Sequence, residues 1–551
     1  DEDEDEDDEG GSAEEWTLRK CSAAGLDVIA NHYQADILDA LLPHIHAKLQ
    51  DPTWTVVESA VLAMGALAPG CEEGLITRNY LPDFMSHLLF TLLGHEKPLV
   101  RSMSCWTLSR YSRWICSQGA SPEQPEAAVF PPLLEPLVHG LLKRMLEPSK
   151  KVQEASVSAM AVLEETAQGL LVGFITPILQ VYSQVFPRYQ ARNTIILYDA
   201  TGTLAEAVGK ELNRPEHIAL LLPPLIAKWE ATPDDDKNLF PLLECLSSVV
   251  VALGEGFLPY AQGVYARCER LIENTLVAQA QGGTLMVEDE FIVCSLDLIS
   301  GMAEGLGSTV ESLVGAGNLL PLLLQCCHHN WPEVRQSAFA VVGDLAKTAL
   351  PHLRPYLEPI FQLVLANLDP DHVSVCNNAC WSVGEMAVRL GQTEAKEALP
   401  ALISQLLIPL INLMGRGALH KSLLDNTAIT LGRFGMVCPE VVSQNLPQFI
   451  QPWCRVLSGI RDDVEKDQSF RGMVKMCLQN PGGVVDSFEY LVMACDSWKP
   501  ERLPEDLKKE LSDLLGWFKQ NLAQAGQWQT IYSRVPQDAQ ERILHKFNVA
   551  P

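Results

Sequence analysis

"LRPYLEPIFQLVLANLDPDHVSVCNNACWSVGEMAVRLG", residues 353–391, reads as two helices joined by a turn. The first half is dense in Leu, Ile, Val and Phe and opens beside a proline, which a first helical turn tolerates. "DPDH" then breaks the chain. The second half sets Ala379, Val383, Met386 and Leu390 on one stripe, the spacing of an amphipathic helix. It is richer in Ala, Ser and Gly, which lets neighbouring helices approach closely.

The same plan returns along the chain. It is written as "LLEPLVHGLLKRMLEPSKKVQEASVSAMAVLEETAQG" at 133–169, as "LPDFMSHLLFTLLGHEKPLVRSMSCWTLSRYSRW" from 81, and as "LLPLLLQCCHHNWPEVRQSAFAVVGDLAKTA" from 319. Val57, Val100, Val152, Leu239, Ile292, Val334, Val375 and Leu424 open successive second helices, with most steps 41 to 53 residues. A period of about 40–47 residues marks HEAT or armadillo arrays. One such pair cannot bury its apolar faces alone, so stacking on neighbours makes the core. Strand signals are nearly absent. The expected fold class is all-α: an α-solenoid of ten or more HEAT repeats, antiparallel helix pairs in a curved superhelix, with first helices outside and second helices inside. Residues 1–13 are expected to be a disordered acidic loop and residues 14–551 the solenoid. "SQGASPEQPEAAVFPP" at 117–132 and "AQAQGGTLMVEDE" at 278–290 read as surface loops. The first repeat begins near Trp16 without a polar cap, so the sequence reads as the C-terminal part of a longer array.

Composition narrows the chemistry. Of 551 residues, 47% are hydrophobic, ample for a large core, yet no run reaches about 18 unbroken apolar residues. The nearest, "ALPALISQLLIPLINLMG" at 398–415, is interrupted by Ser404, Gln405 and Asn412 and reads as a buried helix of a soluble protein. The fifteen cysteines are scattered, mostly in apolar helical runs as Cys105, Cys245, Cys294 and Cys380 are, which suits reduced thiols of a cytosolic or nuclear protein. "CCHH" at 326–329 is not read as a metal site, because adjacent helical residues point in different directions. The net charge is −28, and nine of the acids lie in the first ten residues. So acidic a surface repels nucleic acid and draws basic partners. No phosphate-binding glycine loop, nucleophile motif or metal-spaced set points to an enzyme or a cofactor.

Two tryptophans return at one place. Trp106 stands six residues after Val100 and Trp381 six after Val375. Several second helices end in glycine, and ten residues before Gly391, Gly209, Gly254 and Gly307 stand Trp381, Asp199, Glu244 and Asp297. Setting Gly432 under Gly384 adds Ile429 to this column. Glu206 and Glu304 extend it by two turns on the same helix face as Asp199 and Asp297. Unpaired carboxylates cannot form a core, so the column is expected to face solvent on the inner side. An acidic surface carrying tryptophans suits a long, basic, flexible peptide, because cations stack on indole and pair with carboxylates.

The motifs "WTLRKCSAAGLDVIAN", "LVRSMSCWTLSRY", "KKVQEAS", "ILYDATGTLAEAVG", "LFPLLECLSSV", "PEVRQSAFAVVGDL", "SVCNNACWSVGE", "DNTAITLGR" and "FIQPWCRVLSGIRD" carry a family resemblance over essentially all of 14–551. The chain resembles the transportins, karyopherin-β receptors for nuclear import of cargo with proline-tyrosine nuclear localisation signals. The resemblance implies that the Pro-Tyr end of a signal contacts Ala24, Asp27, Leu62, Met103, Trp106 and Arg110. It implies an acidic middle of Glu165, Asp199, Glu206 and Glu244. The upstream, hydrophobic or basic part would meet Asp297, Glu304, Asp344, Val373, Asn378, Trp381, Asn426 and Ile429. Met103 and Val373 are apolar replacements within the family pattern. Implied partners are cargo such as RNA-binding proteins or histones, nucleoporin FG repeats, and the GTPase Ran through N-terminal repeats missing here. Neither direct nucleic-acid binding nor membrane contact is implied, and the receptor is expected as a monomer shuttling between cytoplasm and nucleus. "DEDEDEDDEG" stands where the family has a longer acidic loop that couples Ran binding to cargo release. The alternative is a HEAT-repeat scaffold subunit, which shares the period but needs no column of tryptophans and acids.

Overall fold

The computed structural model describes residues 17–119, 130–281, 288–417 and 419–550. The acidic segment 1–13 and much of the two inserts fall outside them. Among the described residues the regular structure is helical, with α-helices joined by short 3-10 segments and no strand.

Contacts gather the chain into two compact units, one ending at Pro259 and the other beginning at Tyr260. In the first, the helices Leu18–Tyr33, Trp54–Thr77, Pro98–Arg110, Lys150–Ala167, Ala191–Val208 and Leu239–Leu253 each pack on the next. In the second, Glu290–Leu306, Pro332–Thr348, Val373–Gly391, Lys421–Val437, Val464–Gln479 and Glu505–Gln524 do the same. Shorter helices such as Leu134–Met145 and Leu357–Ala366 supply the other layer. The second helices expected from the sequence all form. Leu18–Tyr33, which the repeat count had not assigned, joins the row by packing on Trp54–Thr77.

The local causes are legible. Proline stands in the first turn of Pro98–Arg110, Pro215–Ala231 and Pro332–Thr348, where its missing N–H leaves nothing unbonded. Three second helices stop at a glycine with positive φ: Gly209 (+51°), Gly254 (+50°) and Gly307 (+56°). Gln34 and Gln168 take the same cap at φ 49° and 45°, and their N–H groups bond Ala30 O and Glu164 O. Gly391 also ends its helix, as the sequence suggests, though without a positive φ. It is the last residue of its helix, packed near Val437, and the cap is Gln392 at φ −91°.

The predicted stripe is core: Ala379, Val383, Met386 and Leu390 are all 0% exposed. Each fully buried Leu or Met contributes about 1.5–3 kcal/mol, so stacking outweighs helix propensity. Five helical spans, Trp54–Thr77 and Glu394–Gly415 among them, are long and apolar enough to cross a membrane by composition alone. Only the last of them stands out in the sequence as a nearly unbroken apolar run, at 398–415. Much of that apolar surface is spent on neighbouring helices; 56% of the Trp54–Thr77 window is buried. Arg433, 1% exposed, ties three successive second helices together, donating to Glu385 on one neighbour at 2.6 Å and Glu465 on the other at 3.2 Å. Of the cysteines, Cys21 is exposed, Cys116 half-buried and the rest buried, all with free thiols. Burial pushes the Cys105 thiol up to about 12, which leaves it unreactive at neutral pH.

Candidate peptide-binding surface

The recurrence of tryptophan has a steric cause. Trp106 lies against Gly65 of the preceding second helix; a β-carbon there would stand 2.1 Å from Trp106 Cζ3. Trp381 lies against Gly343 of its own preceding helix, and a β-carbon there would also stand 2.1 Å from Cζ3. In both places glycine leaves a seat into which the indole of the next repeat is laid. Both rings are half-buried, and both carry a cation: Arg110 Cζ at 5.7 Å from the Trp106 centroid and Lys347 Nζ at 4.3 Å from that of Trp381.

Around Trp106 the first unit forms a groove of about 1450 Å³. Met103, Trp106, Arg110 and Glu165 of the expected contact set line it together. Arg19 and Glu58, also in its wall, form an ion pair between adjacent second helices. Ala24, Asp27 and Leu62 lie on the two preceding second helices, half-buried and outside the groove lining. The Asp27 carboxylate accepts from Asn31 Nδ2 at 3.0 Å. Ala24 stands ten residues before the Gln34 cap, the place Asp199 holds before Gly209. The sequence count could not see this, because glutamine gives no sign of a positive φ. By the same count Ser158, before Gln168, belongs to the column, and it lines the groove.

The acids behave as exposed groups that feel one another. Glu165, Asp199, Glu206 and Glu244 are all exposed. The Asp199 carboxyl is raised above its ordinary range, first by partial burial and then by repulsion from Glu206 and Glu165. Glu206 accepts from Ser248 of the next second helix at 2.8 Å. Sequence reasoning overlooked the neighbour of Glu165. Glu164 is fully buried, and its Oε1 accepts from Tyr182 at 2.7 Å while Oε2 has no partner. Burial raises its carboxyl well above the usual range. A glutamate within an otherwise apolar face, one residue before an exposed one, was the available signal.

In the second unit Asp297 and Glu304 are exposed. Burial raises the Asp297 carboxyl, with a hydrogen bond from Ser337 opposing the shift. Asp344 is half-buried and doubly held: Ser300 donates to Oδ2 at 2.5 Å, and Lys347 Nζ lies 3.3 Å from Oδ1. Val373 is half-buried at the start of the Trp381 helix. The asparagines form a ladder between helices. Asn426 donates to Asn377 at 2.9 Å, Asn377 to Asn378 at 3.3 Å, and Asn378 to Gln336 O at 3.0 Å. Ile429 corrects the column argument. It is 3% exposed, although it stands in the same register as the half-open Trp381 and the exposed carboxylates. An apolar side chain at that register has no desolvation cost to hold it at the surface, as a carboxylate has.

Among the described residues no group of three or more His, Cys, Asp or Glu could hold a metal. In "CCHH", Cys326 and Cys327 are buried whereas His328 is exposed.

The stacked pairs and the matched models define the class. Residues 54–111 match a HEAT-like repeat and residues 319–349 a HEAT repeat, so this is a HEAT-repeat protein. Within that class the sequence goes further. It is 44% identical over 541 residues to Transportin-1 of Mus musculus, covering 97% of this chain and 58% of that one. It is 39% identical over 549 residues to Transportin of Dictyostelium discoideum, covering 98% and 57%. The chain belongs to the transportin family, and it spans less than two thirds of the length of these relatives. Yeast importin-beta (Kap95p) shares the fold at TM-score 0.68 and 15% identity, over 93% of this chain and 60% of that one.

Proposed function

We propose that this chain is the cargo-binding part of a nuclear import receptor that holds extended, basic proline-tyrosine localisation signals on its second helices. The observation that carries this reading is the pair of tryptophans, each seated on a glycine of the preceding repeat and left half open. Between them in sequence lie the exposed carboxylates Asp199, Glu206, Glu244, Asp297 and Glu304. In this reading the groove with Met103, Trp106 and Arg110 takes the Pro-Tyr end, helped by Ala24, Asp27 and Leu62. Glu165, Asp199, Glu206 and Glu244 hold the basic middle. Trp381, together with Asp297, Glu304, Asp344, Val373, Asn378 and Asn426, takes the upstream part. Ile429, being buried, contributes by holding its helix in place. Ran, nucleoporin FG repeats and shuttling between cytoplasm and nucleus belong to the whole receptor by the same family reading.

Titration with a basic peptide ending in Arg-x-x-Pro-Tyr tests this. Binding is expected to be tight at low salt and to weaken as salt rises, because screening shortens the reach of exposed charge. Absence of binding at low salt would favour the HEAT scaffold instead.

A further inference from the structure

We propose that Lys347 is a specificity-determining residue of the Trp381 site, a resident cation that turns away basic side chains and admits apolar ones. This deepens the peptide-binding reading above and rests on it. Lys347 follows Gly343 by one helical turn, so the residue that makes room for the indole and the residue that covers it belong to one turn of one helix. Its ammonium stands 4.3 Å from the Trp381 ring centroid. It is not free to swing away without loss, because Asp344 Oδ1 lies 3.3 Å from Nζ. Asp344 is fixed in turn by Ser300 of the preceding second helix, which donates to Oδ2 at 2.5 Å.

The electrostatics follow from that geometry. The negative face of an indole is what attracts a guest lysine or arginine. Here the ring already faces a cation, and a second cation against the same indole would meet like charge a few ångströms away. Asp344, one turn from Lys347 on the same helix, is already engaged by Lys347 and Ser300. An aliphatic or aromatic guest meets no such repulsion and gains contact with both the indole and the lysine stem. Trp106 differs: Arg110 stands farther off, at 5.7 Å, and no ion pair anchors it among the described residues. The two tryptophans therefore select differently although they are seated alike.

The experiment compares two peptides identical except at one upstream position, leucine in one and arginine in the other, against the wild-type chain and its Lys347→Met, Lys347→Glu and Trp381→Ala variants. Wild type is expected to prefer the leucine peptide. In Lys347→Met that preference should fall about three- to tenfold, the worth of one like charge at this range when solvent screens it nearly as bulk water does. Lys347→Glu should reverse it. Melting temperatures near wild type confirm that the half-exposed lysine is not needed for folding. A preference unchanged within twofold in both Lys347 variants, while Trp381→Ala still weakens both peptides, overturns the role of Lys347 alone. If Trp381→Ala weakens neither peptide, the peptide-binding reading fails at this site and the inference falls with it.

Discussion

Gly343→Ala is the sharpest test of the tryptophan seat, because its effect should change sign with the residue at 381. In the wild-type background the new methyl group would stand 2.1 Å from Trp381 Cζ3 and under 3 Å from Cε3 and Cη2. Ordinary contact needs about 3.4–4 Å between carbons. The indole must therefore move by more than an ångström or the two helices must part. Overpacking of this kind costs about 1–3 kcal/mol. Against it, alanine gains about 1 kcal/mol over glycine inside a helix. The net expectation is a loss of about 0–2 kcal/mol, with the indole displaced and its emission changed. In a Trp381→Ala background the obstruction is gone, and only the propensity gain of about 1 kcal/mol is left. A double-mutant cycle by chemical unfolding, read alongside peptide binding, measures the coupling, expected at about 1–3 kcal/mol. Equal effects of Gly343→Ala in the two backgrounds would refute the seat.

The other expectations address separate parts of the molecule. Trp106→Ala should weaken every peptide that relies on its Pro-Tyr end, whereas Trp381→Ala should weaken mainly those with a strong upstream part. Each loss should be about tenfold or more, or about 1.4 kcal/mol, with melting near wild type; a large fall in melting temperature with peptide binding intact would show both rings to be ordinary core. Neutralising Asp199, Glu206 and Glu244 together should flatten the salt dependence of basic-peptide binding; an unchanged salt slope would make them a merely solvated face. Glu164 has a carboxyl raised in the folded state, so the native protein holds its proton more tightly than the unfolded chain does. Its contribution is fully present below the unfolded value and is lost as pH rises toward the raised folded value. The pH profile of melting should therefore flatten above about 4.5 in Glu164→Gln, which keeps an acceptor for Tyr182; an identical profile would show that Glu164 is ionised in place. Glu385→Ala would strip Arg433 of its 2.6 Å partner and should cost about 3–5 kcal/mol; a drop below 1 kcal/mol would mean that Glu465 suffices.

The repeat was legible because its causes are local. Proline starts, apolar stripes and the period write the helices directly, and Val100, Val152 and Val375 fell where second helices run. The acids of the column were legible for a physical reason too, since burying a carboxylate is costly and few are buried as Glu164 is. Ile429 shows the converse: an apolar residue in the same register follows whatever its neighbours leave, and no single-sequence register reveals that. The seats under the tryptophans depend on pairs distant in sequence, Gly65 with Trp106 and Gly343 with Trp381, and glycine has too many uses for either partner to announce the other. Lys347 stayed hidden likewise, because its partner ring lies one repeat further on. The caps at Gln34 and Gln168 were invisible because the constraint sits in the backbone.

Seating an indole of one repeat on the glycine of the one before has a mechanical consequence. Trp381 is rooted in one helix, while the floor and the charged cover of its berth, Gly343 and Lys347, belong to another. A molecule gripped there touches both sides of a joint. Sliding the two helices past each other by even an ångström would reshape the berth, and whatever fills the berth resists that sliding. By reciprocity, each kilocalorie that a guest adds to the stiffness of the joint is a kilocalorie by which bending the joint would loosen the guest. The same holds at Trp106 and Gly65, so each anchor is also a strain gauge for its own pair of repeats.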